Sequence, residues 1–220
     1  MIKLQRDPLP APLEQRLADQ SAKLKEHLAR SEEPPSALLN YYRNPDLKAH
    51  LLSEASGKCI YCESKITHVY FGDVEHIRPK SRFPAERLER DNLAIACALC
   101  NNAKGEFWSE DAPLLNPYID EPEGEFLALG YIVGRRPGKD RARVTIDKLD
   151  LNRLGLVERR KERIELLQTL ADQYVSAPEG TIKDLLRAEL CKHAAGRSEY
   201  AFIVRAYLRG ACDLQCLEAA

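Results

Sequence analysis

No apolar run in this chain approaches the roughly 18 residues that a membrane-spanning helix needs. The opening stretch, MIKLQRDPLPAPLEQ, lacks the apolar centre of a signal peptide, so a cytoplasmic protein with no membrane partner is expected. Net charge is also lacking: at −1 the whole chain exerts no general pull on nucleic acid, and any such binding must come from a local patch. A G-x-x-x-x-G-K-[ST] loop is absent, which excludes a phosphate-cradling ATP site of that type within this sequence. We find neither an internal repeat nor a low-complexity tract. The seven cysteines are odd in number, which argues against a complete disulfide framework and leaves metal ligation as the better prior.

What is present is ordinary for a folded protein: 220 residues, 44% apolar and 30% charged. Leu13, Leu17, Leu24 and Leu28 form one stripe of an amphipathic helix over 12–30, ended by Pro34 and Pro35. A short helix, SALLNYYRN, and a further one from Pro45 to Gly57 complete an N-terminal helical segment, 1–57. Over 58–108 the helical period disappears, and extended pieces are expected at 68–75 and 93–96. The remainder, 109–220, opens with a Pro-rich connector. FLALGYIVG and RARVTID are predicted as two strands joined by the turn RRPGKD, and three helices follow. The fold class is thus α+β, with a small β-hairpin and helices flanking a compact central module.

Cys59-Ile-Tyr-Cys62 and Cys97-Ala-Leu-Cys100 are two C-x-x-C units with 34 residues between them. Four thiolates complete the closed tetrahedral shell of structural zinc, which contributes on the order of 10 kcal/mol to folding. Such a shell leaves no open position for chemistry. Cys191, Cys212 and Cys216 sit on apolar stretches and are expected to pack as reduced, buried thiols.

Between the two pairs lies GDVEHIRPKSRFP. On a strand, Asp73 and Glu75 share a face, able to hold a hard cation such as Mg²⁺, while His76 beside them is free to act as a base. The second cysteine pair runs into Asn101-Asn102-Ala103-Lys104-Gly105. A helix starting near Cys97 brings Asn101 and Lys104 to the same exposed face, the first as a neutral metal ligand and the second as a phosphate contact. Arg78, Lys80 and Arg82 are further candidates for backbone contacts. A second basic region spans 135–163, with eleven Lys/Arg against five Asp/Glu. The turn RRPGKD within it could line a DNA groove or be a solvated surface. His27, His50 and His193 read as surface or core residues, and only His68 falls close enough in sequence to approach the site.

Taken in order, C-x-x-C, DVEHIRPKS and DNLAIACALCNNAKG resemble an HNH endonuclease, the ββα-metal nuclease module, in its zinc-stapled form. The resemblance implies that His76 is the general base and Glu75 a metal-binding acid. It implies that Asn92 braces the loop through backbone hydrogen bonds, and that Asn101 stands where a final His or Asn ligates a catalytic Mg²⁺ or Mn²⁺. Glu75, where many relatives carry Asp, leaves open whether Asp73 also reaches the ion. The outer stretches LLNPYIDEP, GYI and LDLNRLGLVERRKERI resemble the nuclease subunits of Septu-type anti-phage systems, including those attached to retrons. That likeness implies DNA as substrate and an SMC/ABC-type ATPase as partner, with a retron reverse transcriptase and its nucleic acid in the retron-borne case. Two other readings remain at this level: a zinc-binding interaction module without catalysis, and a restriction-type HNH nuclease acting alone.

Overall fold

The computed structural model describes residues 1–66 and 72–216. The chain groups into two compact units. One comprises Gln5–Ile60 and Lys65–Asp111; the other comprises Met1–Leu4, Tyr61–Ser64 and Ala112–Ala220. The N-terminal helical segment and most of the central module, separate in the sequence reading, fall together in the first.

In the first unit, helix α1 (Ala11–Ala29) forms where the leucine stripe predicts it, and buries Leu13, Leu17 and Leu24. Helix α2 (Ser36–Leu39) and a 3-10 turn, Tyr41–Arg43, follow. Asn44 then caps α3 (Pro45–Glu54) by accepting from the backbone N–H groups of Asp46 and Leu47, satisfying two donors that a helix start leaves open. Strands β1 (Asp73–His76) and β2 (Leu93–Ala96) pair antiparallel, with Glu75 opposite Ala94 and His76 opposite Leu93. The earlier part of the expected first strand, including His68, lies outside the described residues. Gly72 enters β1 at a φ of 69°, and a Cβ there would come within 3.2 Å of Ile66 and Ile95, so only glycine fits. Helix α4 (Ala98–Lys104) begins directly after Cys97 and stops at Gly105, whose φ of 51° closes it.

The N-terminal lead is fastened to this hairpin by charge. The Glu54 side chain, fully buried, takes Arg6 Nη1 at 3.1 Å, the Asp7 N–H at 2.9 Å and the Arg90 guanidinium. Arg6 Nη1 also donates to the Leu93 carbonyl of β2 at 2.8 Å.

The second unit holds α5 (Pro122–Glu125), a hairpin of β3 (Phe126–Leu129) and β4 (Ile132–Arg135), and four helices: α6 (Asp140–Lys148), α7 (Leu154–Ser176), α8 (Thr181–Ala194) and α9 (Ala201–Cys212). Here two expectations are corrected. The hairpin closes inside FLALGYIVG: Leu129 pairs with Ile132, and Gly130, at a φ of 62°, supplies the two-residue turn. RARVTID is not a strand but most of α6, with Ala142, Thr145 and Leu149 buried at helical spacing. Thr145 lends its hydroxyl to the Arg141 carbonyl at 2.8 Å and accepts the Leu115 N–H at 2.9 Å. RRPGKD is therefore the approach to a helix, not a groove-lining hairpin.

Much of the basic region is neutralised internally. Arg141 binds Asp120 at 2.7 Å and the Pro113 and Leu114 carbonyls; Lys139 binds Glu125; Arg160 is buried. The last correction concerns the C-terminal cysteines. The chain leaves α9 at Asp213 in a left-handed conformation, and Cys216 joins Cys191 of α8 in a disulfide with a Cα separation of 5.1 Å. Cys212 remains unpaired, as expected. No helix among the described residues is long and apolar enough to cross a membrane.

Candidate active site

The sulfurs of Cys59, Cys62, Cys97 and Cys100 lie within 4.8 Å of one another, and none is in a disulfide. The close grouping of four sulfur donors fits the tetrahedral Cys₄ shell of structural zinc. Local structure explains the fit: Cys97 caps α4, its sulfur 3.5 Å from the Cys100 N–H, and the Ile60 N–H donates to the Ile95 carbonyl of β2 at 3.2 Å.

His76 ends β1 and is 5% exposed. Its Nε2 lies 3.0 Å from the Arg87 carbonyl, which can only accept, so Nε2 carries the proton and Nδ1 keeps its lone pair. Burial, reinforced by the Lys80 charge, pushes the imidazole down to about 3, so the ring is neutral at physiological pH. With Glu75, Lys80, Arg87, Asn101 and Lys104 it lines a cavity of about 200 Å³.

Glu75 is 1% exposed and takes Lys104 Nζ at 2.7 Å. The same ammonium donates to the His76 carbonyl at 2.7 Å. Lys104 was expected on an exposed face as a phosphate contact; it is instead 4% exposed and already holds two acceptors. Asn101 does stand beside the acids, its Nδ2 3.4 Å from Asp73 Oδ2. The oxygens of Asp73, Glu75 and Asn101 are the donor chemistry that a hard divalent cation takes, so the residues fit such an ion.

Asn92 is buried and makes three backbone bonds. Its Oδ1 accepts the Arg78 N–H at 2.7 Å, and its Nδ2 donates to the Arg78 and Glu86 carbonyls, each at 3.0 Å. These bonds hold the 78–86 loop over the end of β1. Arg78 is drawn into that loop: its guanidinium binds Glu86 at 2.6 Å and lies over the rings of Phe83 and Trp108 at 4.4 and 4.9 Å. Arg82 donates to the Trp108 carbonyl at 2.9 Å and is exposed. Lys80 alone of the three lines the cavity.

Sequence reasoning missed Tyr42 and Arg87. The Tyr42 ring meets His76 edge-on with centroids 4.7 Å apart, and the Arg87 carbonyl fixes the imidazole tautomer. The aromatic-basic run Tyr41-Tyr42-Arg43 was the available signal for the first.

Comparison with known proteins agrees with this geometry. Residues 59–107 match the family model described as HNH endonuclease. The chain is 29% identical over 224 residues to a Septu protein PtuB of Bacillus thuringiensis, covering 94% of this chain and 82% of that one. It is 29% identical over 180 residues to a Septu protein PtuB of Bacillus mycoides (strain KBAB4), covering 66% of this chain and 60% of its relative. The retron-borne variety finds no support in them. Residues 59–107 thus match the HNH endonuclease model around a four-cysteine cluster that fits structural zinc, and over most of its length the chain resembles the Septu protein PtuB.

Proposed function

We propose that the protein is a metal-dependent endonuclease that hydrolyses DNA phosphodiester bonds in the cytoplasm, as the effector of an anti-phage defence system. The observation that carries this reading is His76: a buried imidazole lining a cavity with Glu75 and Asn101, its Nε2 tied to a carbonyl, which leaves Nδ1 as the ring's acceptor. Nδ1 takes a proton from the attacking water. The Arg87 carbonyl stabilises the imidazolium so formed, and Tyr42 holds the plane of the ring. Glu75, Asn101 and Asp73 would hold a Mg²⁺ or Mn²⁺ ion, which when bound stabilises charge on the phosphate and leaving oxygen. Lys104 pairs with Glu75 and fixes the end of β1 through the His76 carbonyl. Asn92 acts on the loop and not on the substrate.

The likeness to Septu proteins supports partnership with an SMC/ABC-type ATPase, which this chain does not itself supply. The test is cleavage of supercoiled plasmid with Mg²⁺ or Mn²⁺, with and without a candidate SMC/ABC-type ATPase, by wild type and His76→Ala. Cutting that disappears in His76→Ala supports the reading. Equal cutting by both proteins removes the base, and no cutting under any condition leaves a non-catalytic zinc module.

A further inference from the structure

Tyr42 stands outside the span that matches the HNH family, on the 3-10 turn Tyr41–Arg43, and is 6% exposed. Three cations converge on its ring. Arg43 and Arg87 each place Cζ 5.5 Å from the ring centroid, and Lys80 places Nζ at 5.6 Å. Among the described residues no carboxylate lies within 4.0 Å of any of them. Their neighbours differ: Arg78 is neutralised by Glu86, Arg90 by Glu54 and Lys104 by Glu75.

Aromatic contact favours each cation but cancels no charge. Three like charges gathered round one ring repel one another until an anion joins them. Two are already aimed. Arg87 Nε donates to the Leu39 carbonyl at 2.6 Å and Arg43 Nε to the Tyr42 hydroxyl at 3.2 Å, so each guanidinium is oriented through one nitrogen and keeps its terminal amino groups for another acceptor. Arg87 and Lys80 line the same cavity as His76.

We propose that Arg43, Lys80 and Arg87 form a phosphate clamp around Tyr42 that grips the DNA backbone beside the bond presented to His76. Tyr42 is the positioning residue that couples clamp to imidazole. The proposal rests on the nuclease reading for the identity of its ligand, but its test is binding rather than cutting.

The full chain is titrated against fluorescein-labelled duplex DNA by fluorescence anisotropy across a salt series, with Ca²⁺ as the divalent ion. Arg43→Gln and Arg87→Gln should each bind several-fold more weakly and make the negative slope of log K against log salt shallower by about 0.9, the value of one phosphate contact. Arg43→Lys and Arg87→Lys should restore most of the slope, which separates lost charge from lost folding. Lys161→Gln, an exposed cation on α7, should leave it unchanged. Slopes equal to wild type in both Gln variants would overturn the clamp, as would a wild type that does not bind duplex DNA. If His76→Ala cuts as wild type does, the nuclease reading falls whatever the slopes. If His76→Ala is inactive and the slopes do not move, the clamp alone falls.

Discussion

Glu75 and Lys104 form a buried ion pair, 2.7 Å apart, in the lining of the cavity they share with His76 and Asn101. An ammonium beside the acid that would hold a divalent ion makes the two cations compete. Lys104→Met should therefore have opposite effects on stability and on metal affinity. Without divalent metal the variant takes the Lys104 ammonium away from a buried carboxylate and should lose about 3–5 kcal/mol. At saturating Mn²⁺ the deficit should shrink, because an ion supplies the missing charge. Urea denaturation in the two conditions checks this, and a deficit that Mn²⁺ does not alter would place the ion away from Glu75.

Asn92 holds the 78–86 loop by three bonds to backbone groups. Asn92→Ala should cost about 3 kcal/mol, taking roughly 1 kcal/mol for each. Asn92→Asp keeps the acceptor for the Arg78 N–H but sets a buried carboxylate oxygen against the Arg78 and Glu86 carbonyls, so its midpoint in denaturant should fall no higher than that of alanine. If Asn92→Ala unfolds at the wild-type midpoint, the bracing role is wrong.

The four clustered cysteines predict one equivalent of zinc per chain, measurable by elemental analysis. Chelation should lower the melting temperature, and added zinc should restore it, because the ion's binding energy is folding energy. Cys97→Ser should abolish stoichiometric zinc. Full retention of zinc in that variant would contradict the site.

The Cys191–Cys216 bridge closes a loop of 25 residues. In oxidised protein Cys216→Ser should cost about 3 kcal/mol by the loop-closure argument. With dithiothreitol present, wild type and variant should unfold at the same denaturant concentration. A difference that survives reduction would assign Cys216 a packing role instead.

Legibility in the sequence followed how local each signal was. The leucine stripe located α1, the run Leu93–Ala96 matched β2 end to end, and the cysteine spacing identified the metal staple. Val144, Thr145 and Ile146 misdirected the reading of α6: β-branched residues in a row favour a strand, yet Ala142, Thr145 and Leu149 carry a helical core face that outweighs them. The inward turn of Arg78 was also illegible, because Phe83, Glu86 and Trp108 capture it only once the loop has folded. Neither could Cys216 be matched to Cys191, since their approach depends on the reversal at Asp213.

The order of residue types along 58–105 was enough to point to a zinc staple and an HNH-type module: two thiolate pairs, an acid beside an imidazole, and amides at the positions of brace and proposed ligand. These are properties of side chains and short spacings, which do not depend on distant neighbours. Packing decided everything that gives those groups their state. It buried His76 against Tyr42 from another segment, turned Lys104 inward onto Glu75, and gathered Arg43, Lys80 and Arg87 round one ring with no carboxylate within 4.0 Å among the described residues. Such relations arise between residues far apart in the chain, where burial and Coulomb energy, not local propensity, set the outcome.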